Sequence, residues 1–164
     1  MTEYSGLTSE IRALAEAVLQ TLKDTGKSVA TAESCTGGLL SAAITSLSGA
    51  SDVFRFGAAT YGEEFKEKLL GVSKQTLACY TAVSAECAKE MARGIRDYAG
   101  ADIGVSVTGY ADTGDTPGLV FVGVCAKDEC QATKFLFSPK SREFVRLSAA
   151  KEALLLLLSI VGDK

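Results

Sequence analysis

The chain has 164 residues, with 17 Lys and Arg against 20 Asp and Glu, and no histidine. The missing imidazole excludes Ser-His-Asp and Cys-His catalysis and the His-containing zinc motifs, and leaves general-base work to Lys, Asp, Glu, Tyr or a water they hold. The length and a hydrophobic share of 47% predict one domain over residues 1–164, and a net charge of −3 argues against a broad nucleic-acid-binding face.

Ile11, Leu14, Ala15, Val18 and Leu22 recur at helical spacing, with Thr8 or Ser9 as the cap and Gly26 after the last turn. Residues 28–32 are small and partly β-branched, and read as a buried strand. The segment Glu33-Ser34-Cys35-Thr36-Gly37-Gly38 then turns into a helix carrying Leu39, Leu40, Ala43, Ile44 and Leu47. A second strand is expected over 53–61, and a short charged helix over 63–70 that Gly71 ends. Ser73 and Ser84 read as N-caps of two further helices, the second with Ala88, Met91, Ala92 and Ile95 on one face. Residues 103–108 alternate as a strand, and 109–118 form a loop of Gly, Asp and Thr. A hairpin about Lys127-Asp128 is expected from 119–126 and 130–137, and a last helix over 141–161. This order predicts an α/β fold, a three-layer α/β/α sandwich around a mixed, mostly parallel sheet of about five strands.

The start, Met1-Thr2-Glu3-Tyr4-Ser5-Gly6, has neither the basic stretch nor the apolar run of a secretory signal, and the apolar run at 154–158 is too short to cross a bilayer. A cytoplasmic protein without membrane contact is therefore expected. Five cysteines at irregular spacing suit a reducing compartment, so free thiols are predicted, including Cys125 and Cys130, which a two-residue turn sets opposite each other. Leu147 and Leu154 to Leu158 make the last helix apolar on more than one face, which predicts burial in the core or in a homo-oligomer, with a dimer favoured.

Ser34 stands between a strand and a Gly-Gly helix start, where the N–H groups of Cys35, Thr36, Gly37 and Gly38 point outward and can hold an anion. It is either an exposed nucleophile or, as Ser and Thr commonly are, a helix cap. Cys35 is the rival nucleophile, though without an imidazole it reads as a small buried side chain. Lys66 and Lys68 are bases if partly buried, and solvated partners of Glu63, Glu64 and Glu67 if not. Asp112, Asp115 and Thr116 lie in a loop of the kind that binds ligands in α/β sheets, with turn formation the blander role and too few ligands for a metal. Arg142 and Arg146, at i and i+4, can face one phosphate or form a solvated helix edge.

Thr31-Ala32-Glu33-Ser34-Cys35-Thr36-Gly37-Gly38-Leu39 resembles the signature of the CinA C-terminal domain family, whose active members are nicotinamide mononucleotide deamidases. Thr60-Tyr61 followed by Lys66 and Leu69-Leu70-Gly71-Val72, then Ala82-Val83-Ser84, Val107-Thr108-Gly109, and Arg142 with Val145-Arg146, resemble further blocks in the same order. The resemblance implies an amidohydrolase that converts nicotinamide mononucleotide and water to nicotinic acid mononucleotide and ammonia. It implies Ser34 as nucleophile, Lys66 as base and Tyr61 assisting. Thr36, Gly37, Gly38, Thr108 and Gly109 would line the substrate, with Arg142 and Arg146 as candidates for its phosphate. No metal or cofactor is implied. The family's Gly-Pro-x-Gly-Gly loop is replaced here by Ala111-Asp112-Thr113-Gly114-Asp115-Thr116-Pro117-Gly118, so an inactive nucleotide-binding or regulatory protein and a hydrolase of another amide stay open beside the first function.

Overall fold

The computed structural model describes residues 4–162; Met1 to Glu3, part of the start read above, lie outside the described residues. In chain order the elements are α1 (Ser5–Thr25), β1 (Val29–Glu33), α2 (Leu39–Thr45), β2 (Phe54–Ala59), α3 (Glu63–Leu70), α4 (Lys74–Tyr80), α5 (Ala85–Ala99), β3 (Ile103–Gly109), β4 (Leu119–Ala126), β5 (Glu129–Leu136) and α6 (Arg142–Gly162). The expected order of helices and strands is present throughout. The first helix begins earlier than expected, at Ser5, so Thr8 and Ser9 lie inside it and their hydroxyls bond back to the Tyr4 and Ser5 carbonyls. Ser73 and Ser84 are caps as expected, each accepting from an N–H three residues on.

The five strands form one mixed sheet in the order β2-β1-β3-β4-β5. β1 pairs in parallel with β2 and β3, while β3–β4 and β4–β5 are antiparallel. The expected "mostly parallel" sheet is thus evenly divided, because the loop 110–118 between β3 and β4 and the two-residue turn between β4 and β5 are too short for the crossovers that parallel pairing needs.

Helices cover both faces. Alternation along the strands decides which side chain meets which layer. Val29, Ile103, Val105, Val107, Val120, Val122 and Val124 point to one face, where Leu22, Leu40, Ile44, Leu154 and Leu157 of α1, α2 and α6 complete the larger core. Ala30 and Ala32 point to the other face, against Met91, Ile95 and Cys87 of α5 and Leu70 of α3. There α5 lies close to the sheet: a Cβ at Gly104 or Gly123 would run into the Ala92 or Ala88 carbonyl oxygen. Ser106 uses the same proximity to donate to the Ala88 carbonyl at 2.6 Å.

One expectation is revised here. Cys125 and Cys130 are joined by a disulfide rather than free, because the two-residue turn makes them direct cross-strand partners. The leucines of α6 are taken up mostly within the chain: Leu154 and Leu157 are fully buried, Leu147, Leu156 and Leu158 pack at the edge of the core, and Leu155 is 38% exposed. Among the described residues, no helix is long and apolar enough to cross a membrane.

Leu154→Ala is expected to cost about 3 kcal/mol of unfolding free energy, and Leu155→Ala less than about 1 kcal/mol. Urea titration at two protein concentrations checks both; a large or concentration-dependent loss at Leu155 would show a partner subunit covering it.

Candidate active site

The carboxyl ends of the three parallel strands meet at one end of the sheet. β1 lies between β2 and β3, and the connections leaving it diverge, which is the place where open α/β sheets gather ligands. Ser34 follows β1 directly and continues its ladder, donating its N–H to the Val107 carbonyl at 2.9 Å. Thr60 follows β2 and donates to the Glu33 carbonyl at 2.8 Å. Thr108, near the end of β3, turns its hydroxyl to the Ala82 carbonyl at 2.7 Å, tying the loop before α5 to the same end of the sheet.

Glu33 was not singled out as a site residue in the sequence. Its side chain is completely buried, under the start of α2. Oε2 accepts from the Gly38 and Leu40 N–H groups at 3.0 Å each, and Oε1 accepts from the Ser41 N–H at 2.8 Å and the Ser41 hydroxyl at 2.6 Å. An acid at a helix N-terminus satisfies orphan N–H groups and complements the helix dipole. The signal available in the sequence was a lone carboxylate at the end of a strand of small buried residues, just ahead of an uncapped Gly-Gly helix start.

This carboxylate revises the expected anion-binding turn. The Gly38 N–H belongs to Glu33, and the Gly37 N–H closes the turn onto the Ser34 carbonyl at 3.0 Å. Of the four N–H groups expected to point outward, those of Cys35 and Thr36 are the ones that donate to no protein oxygen among the described residues. Gly38 sits at φ 105°, a conformation that lets the chain double back over Glu33 before α2 begins.

Lys66, on α3, is 1% exposed and reaches Ser34. Its Nζ lies 3.2 Å from Ser34 Oγ, 2.7 Å from the Thr60 carbonyl and 3.3 Å from the Tyr61 carbonyl. Burial lowers its pKa from the ordinary lysine value of 10.5, because no buried carboxylate is bonded to it to compensate the lost hydration. Lys68, on the same helix, lies over the Phe65 ring at 5.9 Å instead. Cys35 is not a thiolate: burial pushes its thiol up to about 11, and Cys87 behaves alike. Two hydroxyls at this end of the sheet, Thr36 Oγ1 and Thr60 Oγ1, are buried with no hydrogen-bond partner.

The remaining candidates divide. Arg146 donates Nε to the Cys35 carbonyl at 3.0 Å and Nη2 to the Thr36 carbonyl at 2.9 Å, so it grips the turn that carries Ser34. Arg142, one helical turn earlier, donates Nη1 to Asp112 at 2.6 Å and Nη2 to the Tyr61 hydroxyl at 2.7 Å. The Tyr61 ring is therefore at the rim, 61% exposed, while its carbonyl touches Lys66. Gly109 packs against β4 too closely to admit a Cβ, and bounds the site through its backbone.

A buried lysine that reaches a serine at the end of a parallel strand defines an α/β domain with a Ser–Lys pair. The CinA C-terminal domain model matches residues 11–161, and the chain belongs to that family. Over 161 residues the chain is 42% identical to a competence-damage inducible protein of Bacillus velezensis, covering 96% of this chain and 38% of the relative. It is 48% identical over 128 residues to one of Thermoanaerobacter sp. strain X514, covering 75% of this chain and 31% of the relative. The chain thus spans about a third of the length of these curated relatives. Crystal structures of competence/damage-inducible proteins from Agrobacterium tumefaciens and Enterobacter asburiae superpose on it with TM-scores of 0.88 and 0.89, at 33% and 34% identity. These superpositions cover 92% and 93% of this chain, and 95% and 98% of those chains.

Glu33→Gln is expected to lower the unfolding free energy by about 2 kcal/mol, since it weakens charge-assisted bonds to three buried N–H groups; urea titration measures it. Lys66 makes a second prediction. The unfolded lysine keeps its proton up to about 10.5, and the folded one releases it at lower pH. Between the two the unfolded state binds more protons, so stability rises with pH. Wild type should therefore gain stability relative to Lys66→Met between pH 7 and pH 10; a constant difference would show that the lysine is not shifted.

Proposed function

We propose that the chain is an amidohydrolase acting on nicotinamide mononucleotide, with Ser34 as nucleophile and Lys66 as base. The observation that carries this reading is the 3.2 Å approach of a buried, pKa-lowered Lys66 Nζ to Ser34 Oγ. A neutral amine has two N–H bonds and one lone pair. The Thr60 and Tyr61 carbonyls accept the two N–H bonds, which leaves the lone pair for the Ser34 hydroxyl proton.

In the first half-reaction Lys66 takes that proton as Ser34 Oγ bonds to the carboxamide carbon. The oxyanion faces the Cys35 and Thr36 N–H groups, the two that no protein oxygen uses. The carbon–nitrogen bond then breaks, and the proton passes from Lys66 to the leaving nitrogen, releasing ammonia. Water attacks the resulting ester, gives a proton to Lys66, and Ser34 Oγ leaves with it as the free acid forms. Lys66 alternates as base and acid in both halves.

A second reading, a protein that binds the nucleotide and turns nothing over, is motivated by the Ala111–Gly118 loop that stands where active members of the family have Gly-Pro-x-Gly-Gly. Ammonia release from nicotinamide mononucleotide separates the two. Wild type should release ammonia, Ser34→Ala none above background, and Lys66→Met about 10²- to 10⁴-fold less than wild type. Equal release by wild type and Ser34→Ala would sink the reaction. Ligand stabilisation of a wild-type protein without release would select the binding role. Activity should rise with pH, with an inflection below 10.5, because only the deprotonated Lys66 accepts the serine proton.

A further inference from the structure

We infer that Asp112 is a specificity-determining residue of this site: it competes with a substrate phosphate for the Arg142 guanidinium, and so weakens the preference for a phosphorylated pyridine amide over its dephosphorylated counterpart. The inference rests on the reading of Ser34 and Lys66 as an amide-hydrolysing pair.

Three elements meet at Arg142. It sits at the start of α6, one turn ahead of Arg146, whose guanidinium holds the Cys35 and Thr36 carbonyls beside the nucleophile. Its Nη2 reaches the hydroxyl of Tyr61, the residue whose carbonyl accepts from Lys66. Its Nη1 reaches Asp112 Oδ1. Arg142 thus stands at the rim of the Ser34–Lys66 pair, and it is the arginine there whose donors face outward rather than into the turn.

Asp112 is held in place by its stem. The Tyr110 N–H donates to the Leu119 carbonyl at 2.8 Å, and the Gly118 N–H donates to the Tyr110 carbonyl at 2.7 Å. The next residue, Ala111, is 4% exposed and belongs to the larger core. A loop anchored at both ends and pinned by Ala111 carries the carboxylate to Arg142.

The hold on Arg142 is incomplete. A guanidinium fork is best satisfied by two oxygens of one anion. Here one arm is on a single carboxylate oxygen and the other is on a neutral phenol. The two charged side chains are 45% and 40% exposed, so the pair is screened and exchangeable. A dianionic phosphate presents the bidentate partner that Asp112 does not. To reach Arg142 it must displace the carboxylate and then bind beside its negative charge. A neutral ribose hydroxyl meets neither obstacle.

The test uses Ser34→Ala protein, so that ligands bind without turnover. Calorimetric titration gives Kd for nicotinamide mononucleotide and for its riboside, with Asp112 present and with Asp112→Asn or Asp112→Ala added. Either change should shift the ratio of the two affinities about five- to tenfold toward the nucleotide. In an Arg142→Gln background the same changes should shift it much less, because Asp112 acts through the arginine. An unchanged ratio, a shift toward the riboside, or an equal shift without Arg142 overturns the inference. These outcomes are independent of ammonia release by the intact chain. A shifted ratio with no release removes the reaction and keeps the specificity role, while release with an unchanged ratio does the reverse.

Discussion

The structure of the site depends on the Glu33 carboxylate beneath the start of α2. Buried without hydration, it is tolerable only because both oxygens are filled by donors from the Gly38–Ser41 turn. Those same bonds are the ones a seven-residue helix could not otherwise satisfy at its N-terminus. Two problems therefore solve each other. The chain between them, Ser34 to Gly37, has its ends fixed on β1 and α2 and its Cys35 and Thr36 carbonyls held by Arg146, so the backbone that carries the serine is set from three sides. The consequence is chemical as well as structural. The helix N-terminus, the usual anion site after such a turn, is already occupied by the protein's own carboxylate, and an oxyanion is left with the N–H groups before it.

In a chain with no histidine, any general base has to come from groups that are protonated or weakly basic at neutral pH. The lysine solution needs burial without an acidic partner, since an ion pair would hold the proton on. α3 begins with Glu63 and Glu64 and carries Glu67, yet the contacts of Lys66 Nζ are two carbonyls and a hydroxyl. Glu63 and Glu64 are exposed and Glu67 is part-exposed, while Lys66 shares the buried side of the helix with Leu70 and reaches the residues that follow β1 and β2. Helical phase separates charges that are adjacent in sequence.

That separation explains what was legible beforehand. The bounds of α3 and β4 follow from local signals: the glycine after Leu70, the alternation from 119 to 126, the turn at Lys127-Asp128. The Ser34–Lys66 pairing is 32 residues apart in sequence and came from resemblance; periodicity alone made the lysine more readily a solvated partner of its glutamates. The roles of Glu33 and Arg146 were hidden for a related reason. Each bonds to backbone groups, and a sequence shows which side chains are present but not which main-chain donors and acceptors lack partners. The Cys125–Cys130 bond shows the converse. Register placed the two residues opposite each other, and an argument from compartment set that geometry aside.

The site divides between the two kinds of pairing in the sheet. The parallel half holds the Ser34–Lys66 pair: Ser34 follows β1, which is buried along its whole length, and Lys66 comes shortly after β2, a half-exposed edge strand paired to β1 in parallel. The antiparallel half supplies the loop from Tyr110 to Gly118, which connects β3 to β4. Its stem is closed by the Tyr110–Leu119 and Tyr110–Gly118 hydrogen bonds, so residues beyond Ala111 can change without disturbing the ladder. Asp112 and Asp115 lie in that loop, and Asp112 reaches Arg142 rather than the Ser34–Lys66 pair. A fold that fixes Ser34 and Lys66 on one set of strands, and hangs its rim loop from another, lets that loop vary while the two side chains keep their distance.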